Sequence, residues 1–243
     1  MATWLQERQR AGAEAFQTLG WPTRGLEAWK TTPIKPIVGF GSDPIGSPSP
    51  DVLNAAAQAV STLGEPTGPR LVLVCGEVVD ALSTPGDLDT SWAGSEAHLG
   101  AIASQDKAPL VALSARALDR AVVLRASQAA GGVVELVHVG VPGAGGAQTR
   151  VLVVAETSEE VTLVERFIDV SGDPCWTNVV TEVAVGPNAC VRHVQVLAGG
   201  RASARTGNLS VRVERDGRFE SHVVALGGRI GRSEIMVRLV GSG

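Results

Sequence analysis

The alternation of apolar and polar residues is clearest between residues 150 and 240. Three segments there share one design, a polar turn followed by alternating apolar and polar residues: 157–167, 186–196 and 215–225. Their starts are evenly spaced, because 186 − 157 and 215 − 186 both equal 29. A period-2 alternation predicts strands. A fixed period with about two strands per repeat predicts a parallel β-helix, in which each coil buries its apolar face against the next.

Two other β architectures remain open at this point, a β-sandwich and a meander with accidental spacing. A doubly wound α/β sheet is disfavoured, because it needs helix-length patterns between its strands and residues 157–240 contain none. If the repeat is real, Val164, His193 and His222 should stack in successive parallel coils of one sheet, with neighbouring strands roughly 4.8 Å apart.

Residues 1–118 have a different pattern, which predicts a small helical or α+β N-terminal domain ahead of a β-helix at 119–243. A capping-box spacing at Thr3 and Gln6 begins a helix that should end near Gly20. Further helices are predicted at 51–63 and 109–119. Strands are predicted at 70–75 and 77–82, with a turn at Gly76 between them, and no element is predicted for 83–108.

Composition narrows the function classes. The 243 residues are 44% hydrophobic and 19% charged, which is typical of a globular protein rather than a disordered one. The net charge of −4 does not favour nucleic-acid binding. The opening residues lack an apolar signal segment, and no run approaches 18 apolar residues. We therefore expect a cytoplasmic protein that binds neither nucleic acid nor membrane.

Candidate metal and thiol chemistry is sparse. Three cysteines, Cys75, Cys175 and Cys190, are too few and too scattered for a disulfide framework or a metal cage. His193 and His222 are one repeat apart and could bind a metal, but no third ligand stands at their register. Cys190 is three residues from His193 and should lie on the opposite strand face. Cys175 lies in a loop with no cationic neighbour in sequence, so we predict no catalytic, cofactor-binding or metal-binding residue.

Sequence motifs for catalysis are also missing. The chain has no P-loop, no G-x-G-x-x-G, no G-x-S-x-G and no H-E-x-x-H. The glycine-rich stretch at 141–146 precedes a strand pattern, not a helix, so we interpret it as a corner. Around Glu27, Trp29 and Lys30, we favour a structural role in which Trp29 anchors a loop onto the strand domain.

Four segments carry a resemblance to a known family: 22–37 (PTRGLEAWKTTPIKPI), 70–79 (RLVLVCGEVV), 177–196 (TNVVTEVAVGPNACVRHVQV) and 219–243 (FESHVVALGGRIGRSEIMVRLVGSG). In them the chain resembles the SufB/SufD family of iron–sulfur cluster assembly proteins, nearer to SufD. The last segment is the most specific, since it joins a Gly-Gly turn and an Arg to a closing Leu-x-Gly-x-Gly.

The resemblance implies a helical N-terminal region that leads into a right-handed parallel β-helix. It also implies a non-catalytic scaffold that works with a SufB-like subunit and a SufC-like ATPase, with no cofactor of its own in this chain. Family members continue through more coils, so we expect the β-helix to be incomplete at Gly243. The family's cluster-related residues would then lie beyond that point, and the exposed β-helix end could join a second copy.

Two function classes compete with this interpretation. One is a carbohydrate-active enzyme on a β-helix frame, which needs a groove lined with acids. Glu165, Glu182 and Glu214 do not share a register, because 182 − 165 is 17 and 214 − 182 is 32. The other is a purely structural dimerisation module.

Overall fold

The structure is a computed structural model, and it describes residues 3–43, 45–143 and 145–241. The last two residues of the closing Leu-x-Gly-x-Gly, and one residue of the predicted corner at 141–146, lie outside this description. The helices of the described chain are α1 (Thr3–Leu19), α2 (Lys35–Val38), α3 (Pro50–Ser61) and α4 (Pro109–Ser114). Its strands are β1 (Arg70–Val74), β2 (Glu77–Val78), β3 (Val122–Arg125), β4 (Val133–Gly140), β5 (Ala147–Ala155), β6 (Glu160–Asp169), β7 (Trp176–Val185), β8 (Cys190–Leu197), β9 (Ala204–Val213), β10 (Arg218–Ala225) and β11 (Ile230–Leu239).

The strands form two sheets that wind into a β-helix of about four turns. One sheet has the order β10-β8-β6-β4-β1-β2, and the other has the order β11-β9-β7-β5-β3. Strands alternate between the sheets along the chain, and every pairing is parallel apart from the β1–β2 hairpin. A meander or sandwich would pair strands in antiparallel fashion, so the prediction of a mainly β protein with a parallel β-helix is confirmed.

Alternate residues of both sheets point inward and form one apolar core. Val and Leu dominate it, for example Leu136, Val153, Leu163 and Val183, all nearly inaccessible to solvent. Burying each such side chain contributes roughly 1.5–3 kcal/mol, so the stacked Val and Leu residues stabilise the coils. The low aromatic content of the chain suits this core of short, branched side chains.

The predicted stack of Val164, His193 and His222 is right in its sheet and strand direction but wrong in its register. Val164 pairs with Val194, which in turn pairs with His222. The step from β6 to β8 is 30 residues, and the step from β8 to β10 is 28, so a mean of 29 hides a shift of one residue. A shift of one residue moves a side chain to the other face of a sheet. His193 is therefore buried inside the β-helix, while His222 is exposed outside.

The N-terminal elements largely follow the sequence prediction. Helix α1 ends before Gly20, which has a positive φ of 64°. After α4 the chain continues as a 3-10 turn to Arg120. The second predicted strand is wrong beyond β2, because residues 80–82 form a 3-10 turn. Strand β1 pairs with β4 and so belongs to the β-helix sheet, while the boundary near residue 118 stays a prediction.

The N-terminal segment covers the outer face of the five-stranded sheet. Trp29 is buried in a cluster with Leu113, Trp176 and Ile230, which fits the anchoring role expected for it. The guanidinium of Arg232 lies 4.2 Å from the centre of the Trp29 ring. Within the described ranges, no helix is both long and apolar enough to span a membrane.

Candidate functional site

A polar cluster interrupts the apolar interior of the β-helix and is centred on the Glu165 carboxylate. Its Oε1 lies 3.1 Å from His138 Nε2, and its Oε2 lies 2.7 Å from His193 Nε2. Gln195 donates to Oε2 at 2.9 Å, and the Thr181 hydroxyl donates to Oε1 at 3.3 Å. All five side chains are buried, and Glu165 itself is inaccessible to solvent.

Strand stacking brings these residues together. Glu165, His138 and His193 occupy inward positions of β6, β4 and β8, which are neighbours in one sheet. Neighbouring strands lie about 4.8 Å apart, so side chains from adjacent coils meet within hydrogen-bonding reach. The sequence places them there by the same alternation that places Leu136 and Leu163 in the core.

The carboxylate fixes the tautomers of both imidazoles. An ionised carboxylate only accepts hydrogen bonds, so each histidine must present Nε2–H to it. His193 Nδ1 then accepts from the Ser221 hydroxyl at 3.3 Å. His138 Nδ1 has no hydrogen-bond partner among the described residues.

Charge in the interior is nearly balanced. Burial would raise the pKa of Glu165, but the hydrogen bonds from His138 and then His193 outweigh it and hold that pKa well below its ordinary value. Burial lowers the pKa of Arg205 to about 10, and attraction to Glu165 opposes this shift. The Arg205 guanidinium also lies 4.4 Å from the centre of the Phe167 ring. One buried negative charge thus faces one buried positive charge.

A second polar cluster ties the N-terminal segment to the outside of the five-stranded sheet. Glu182 accepts hydrogen bonds from the backbone N–H groups of Gly100, Ile102 and Ala103 at 2.7 to 2.9 Å. Arg150 donates to the same carboxylate and to the hydroxyl of Ser114. Burial lowers the pKa of Arg150, and the negative charge of Glu182 opposes that shift.

The three cysteines are all buried and unpaired. Cys190 and His193 lie on opposite faces of β8, as predicted, with Cys190 on the face of Arg192. Cys175 is 2% exposed although it lies in the loop before β7. Burial raises its pKa to about 12, helped by nearby Asp169. Burial likewise raises the pKa of Cys75 to about 11, with a smaller effect of Glu77.

Sequence reasoning missed the centre of the interior cluster. It treated Glu165 as one of several scattered strand-face acids and did not consider His138. A signal was present, because His138, Glu165, His193 and Gln195 are the polar residues at inward positions of strands that are otherwise apolar inside.

One protein-family model matches part of the β-helix. Residues 138–243 match the model described as SUF system FeS cluster assembly, SufBD core domain. Over these residues the chain is similar to the SufB/SufD family. The matched SufBD segment begins at His138 and contains the whole Glu165 cluster.

The chain is also similar to a curated protein, "Protein ABCI7, chloroplastic" from Arabidopsis thaliana. The two are 34% identical over 93 residues, which cover 38% of this chain and 20% of that protein. The chain thus matches about a fifth of the length of this relative. The description of the matched family names the SUF system of iron–sulfur cluster assembly.

Proposed function

We propose that this chain is a non-catalytic scaffold subunit that supports iron–sulfur cluster assembly through contacts with a SufB-like subunit and a SufC-like ATPase. The observation that carries the proposal is the coincidence of the SufBD core match with the β-helix coils from β4 to β11. A rigid stack of parallel strands presents long, regular faces, which suits a subunit that binds other subunits.

The arrangement of the acids supports a scaffold over a carbohydrate-active enzyme. Glycoside chemistry needs two carboxyl groups that flank a bound sugar. Glu165 and Glu182 are both inaccessible to solvent, and they lie in different sheets with one inside the β-helix and the other outside. Glu214, near the end of β9, pairs with Arg212. Glu165 and Glu182 are enclosed and cannot reach a polysaccharide, and Glu214 alone does not supply the required pair of carboxyl groups.

The proposal includes a cytoplasmic location. Cys75, Cys175 and Cys190 are all free thiols, which is the usual state of cysteines in a reducing compartment.

The test is complex formation with purified SufB-like and SufC-like proteins, followed by size-exclusion chromatography with light scattering. We expect one peak whose mass is the sum of this chain and its partners. The control variant is His222→Ala, which changes an exposed position on the outer face. It should fold, and form the complex, as the unsubstituted chain does. Elution of all components at their separate masses would contradict the proposal.

A further inference from the structure

A small cavity lies inside the β-helix where the strands of the two sheets approach a corner. Its lining includes His138, Gly140, Phe167, Cys175 and Thr177. Its volume is about 30 Å³, close to the share of one water molecule in the liquid. A cavity of this size holds a single ion or one small molecule.

The imidazole of His138 has one ring nitrogen, Nδ1, that is free to bind a metal ion. Glu165 holds its Nε2–H, which leaves the Nδ1 lone pair free. The side chain is 2% exposed, and Nδ1 has no partner within the described residues. Metal-binding histidines commonly donate their other ring N–H to a carboxylate, which fixes the ring and strengthens its basicity.

The thiol of Cys175 lines the same cavity as His138. A Cβ built on Gly140 would come within 2.8 Å of Cys175 Sγ, so the sulfur packs directly against this glycine. Gly140 follows His138 by two residues and lies on the same face of β4. Glycine at this position therefore leaves room for the thiol on the strand face that carries His138.

Donor type and donor number select the ion. Among the residues that line the cavity, Cys175 supplies the thiol and His138 the imidazole, and such donors favour a soft transition metal. Protein zinc sites are almost always four-coordinate, so a set of two side-chain donors favours copper(I) over zinc(II).

We propose that His138 and Cys175 form a two-donor site for a soft monovalent metal ion, copper(I). Binding replaces the thiol proton: the S–H bond breaks, a sulfur–copper bond forms, and one proton leaves to solvent. His138 Nδ1 donates its lone pair as the second ligand. No oxidation or reduction takes part. The site is independent of the scaffold role and goes beyond it, and it departs from the absence of a metal expected from the sequence.

The test is an anaerobic titration of the whole chain with copper(I) in competition with a chromophoric copper(I) chelator. We expect one copper(I) per chain and a thiolate-to-copper absorption in the ultraviolet. Cys175→Ser should abolish the absorption, and His138→Gln should weaken binding at least tenfold. Cys190→Ser and His222→Gln should bind as the unsubstituted chain does, because neither residue lines the cavity.

A second measurement keeps the proposal testable if Cys175→Ser does not fold. X-ray absorption on the copper-loaded chain should show one sulfur and one nitrogen ligand. Two or more sulfur ligands, no binding at all, or undiminished binding by a folded Cys175→Ser chain would each overturn the assignment. Silver(I), which is redox-inert under these conditions, should bind with the same stoichiometry and the same dependence on both residues.

Discussion

Arg150 and Glu182 form an ion pair in which neither side chain is exposed to solvent, with Arg150 Nη2 3.0 Å from Glu182 Oε2. The pair lies on the outer face of the five-stranded sheet, beneath the loop at 100–103. Glu182 thus bonds both to a neighbouring strand and to the N-terminal segment. It is one of the polar links between the two parts of the fold, together with the bond from Asn178 to Leu110.

The first prediction concerns this link. Glu182→Ala leaves the Arg150 charge and three backbone N–H groups buried without an acceptor. Breaking a buried pair by removing one partner costs about 3–5 kcal/mol, so the free energy of unfolding should fall by that amount. Urea denaturation followed by circular dichroism measures it.

The control for this prediction is Glu160→Ala, because Glu160 pairs with Arg192 at the exposed surface. Exposed pairs contribute about 0–1 kcal/mol, so Glu160→Ala should lower the free energy of unfolding only slightly. Limited proteolysis should cut Glu182→Ala first near residues 100–103. Equal losses of stability in the two variants would contradict the role of Glu182 as a link.

The second prediction concerns the pH dependence of the Glu165 cluster. A carboxyl group with a lowered pKa stabilises the fold above its unfolded-state pKa, and this contribution is lost as pH falls through the folded-state pKa. Glu165→Gln removes the titration and gives one imidazole N–H no acceptor, which costs about 1–3 kcal/mol at neutral pH. The stability difference between the two chains should therefore shrink as the pH drops below the ordinary value of 4.5.

Chemical denaturation at a series of pH values measures how the stability difference between the unsubstituted chain and Glu165→Gln changes with pH. Glu160→Gln is the matched control, since it makes the same substitution at a carboxyl group that is exposed at the surface. A difference that grows as the solution is acidified would show that Glu165 is protonated in the folded chain.

The third prediction uses the turn between β1 and β2. Cys75 and Gly76 both have positive φ, 56° and 83°, which is the geometry of a two-residue hairpin turn. Asn adopts this conformation more readily than Cys. Cys75 is also buried, so Cys75→Asn offsets this backbone gain by burying an amide and should change the free energy of unfolding by less than about 1 kcal/mol. Cys75→Val should lower it, because a β-branched side chain is strained at positive φ, and thermal unfolding of the two variants would distinguish these outcomes.

The fourth prediction concerns the packing of Gly146 against Trp176. A Cβ at Gly146 would lie 2.2 Å from Trp176 Cε3, closer than any tolerated contact. Gly146→Ala should therefore destabilise the chain by about 1–3 kcal/mol, the usual cost of overpacking. Gly46→Ala meets no atom within 4 Å and should leave the melting temperature nearly unchanged. Similar melting temperatures for both variants would contradict this packing.

The β-helix could be predicted because its repeat survives in the sequence as a mean period of 29 residues. The register could not, because the corners differ in length and the true steps of 30 and 28 average to that value. His193 was therefore aligned with His222 although it faces the opposite side. A mean period predicts the architecture, but only the strand pairing shows on which face of the sheet each side chain lies.

The two buried acids show a second limit of sequence reasoning. Glu165 faces inward from one sheet and Glu182 faces outward from the other, so comparing their spacing along the chain carried no information about their partners. The loop at 83–108 showed no pattern because contacts about 80 residues away in sequence hold it, as Ala103 and Glu182 illustrate. The first helix, by contrast, was predicted from a local pattern that runs from Thr3 to Gly20, and α1 spans Thr3–Leu19.

Cluster assembly by the reconstituted complex tests the scaffold role most directly. SufB-like and SufC-like proteins would be supplied with iron, a sulfide source and ATP, with and without this chain, and the yield of iron–sulfur cluster followed by absorbance. The account predicts that the chain raises the yield in proportion to complex formed, and that His98→Ala and His222→Ala leave it unchanged. A full yield without the chain, or loss of yield in a variant that still folds and joins the complex, would contradict a scaffold role.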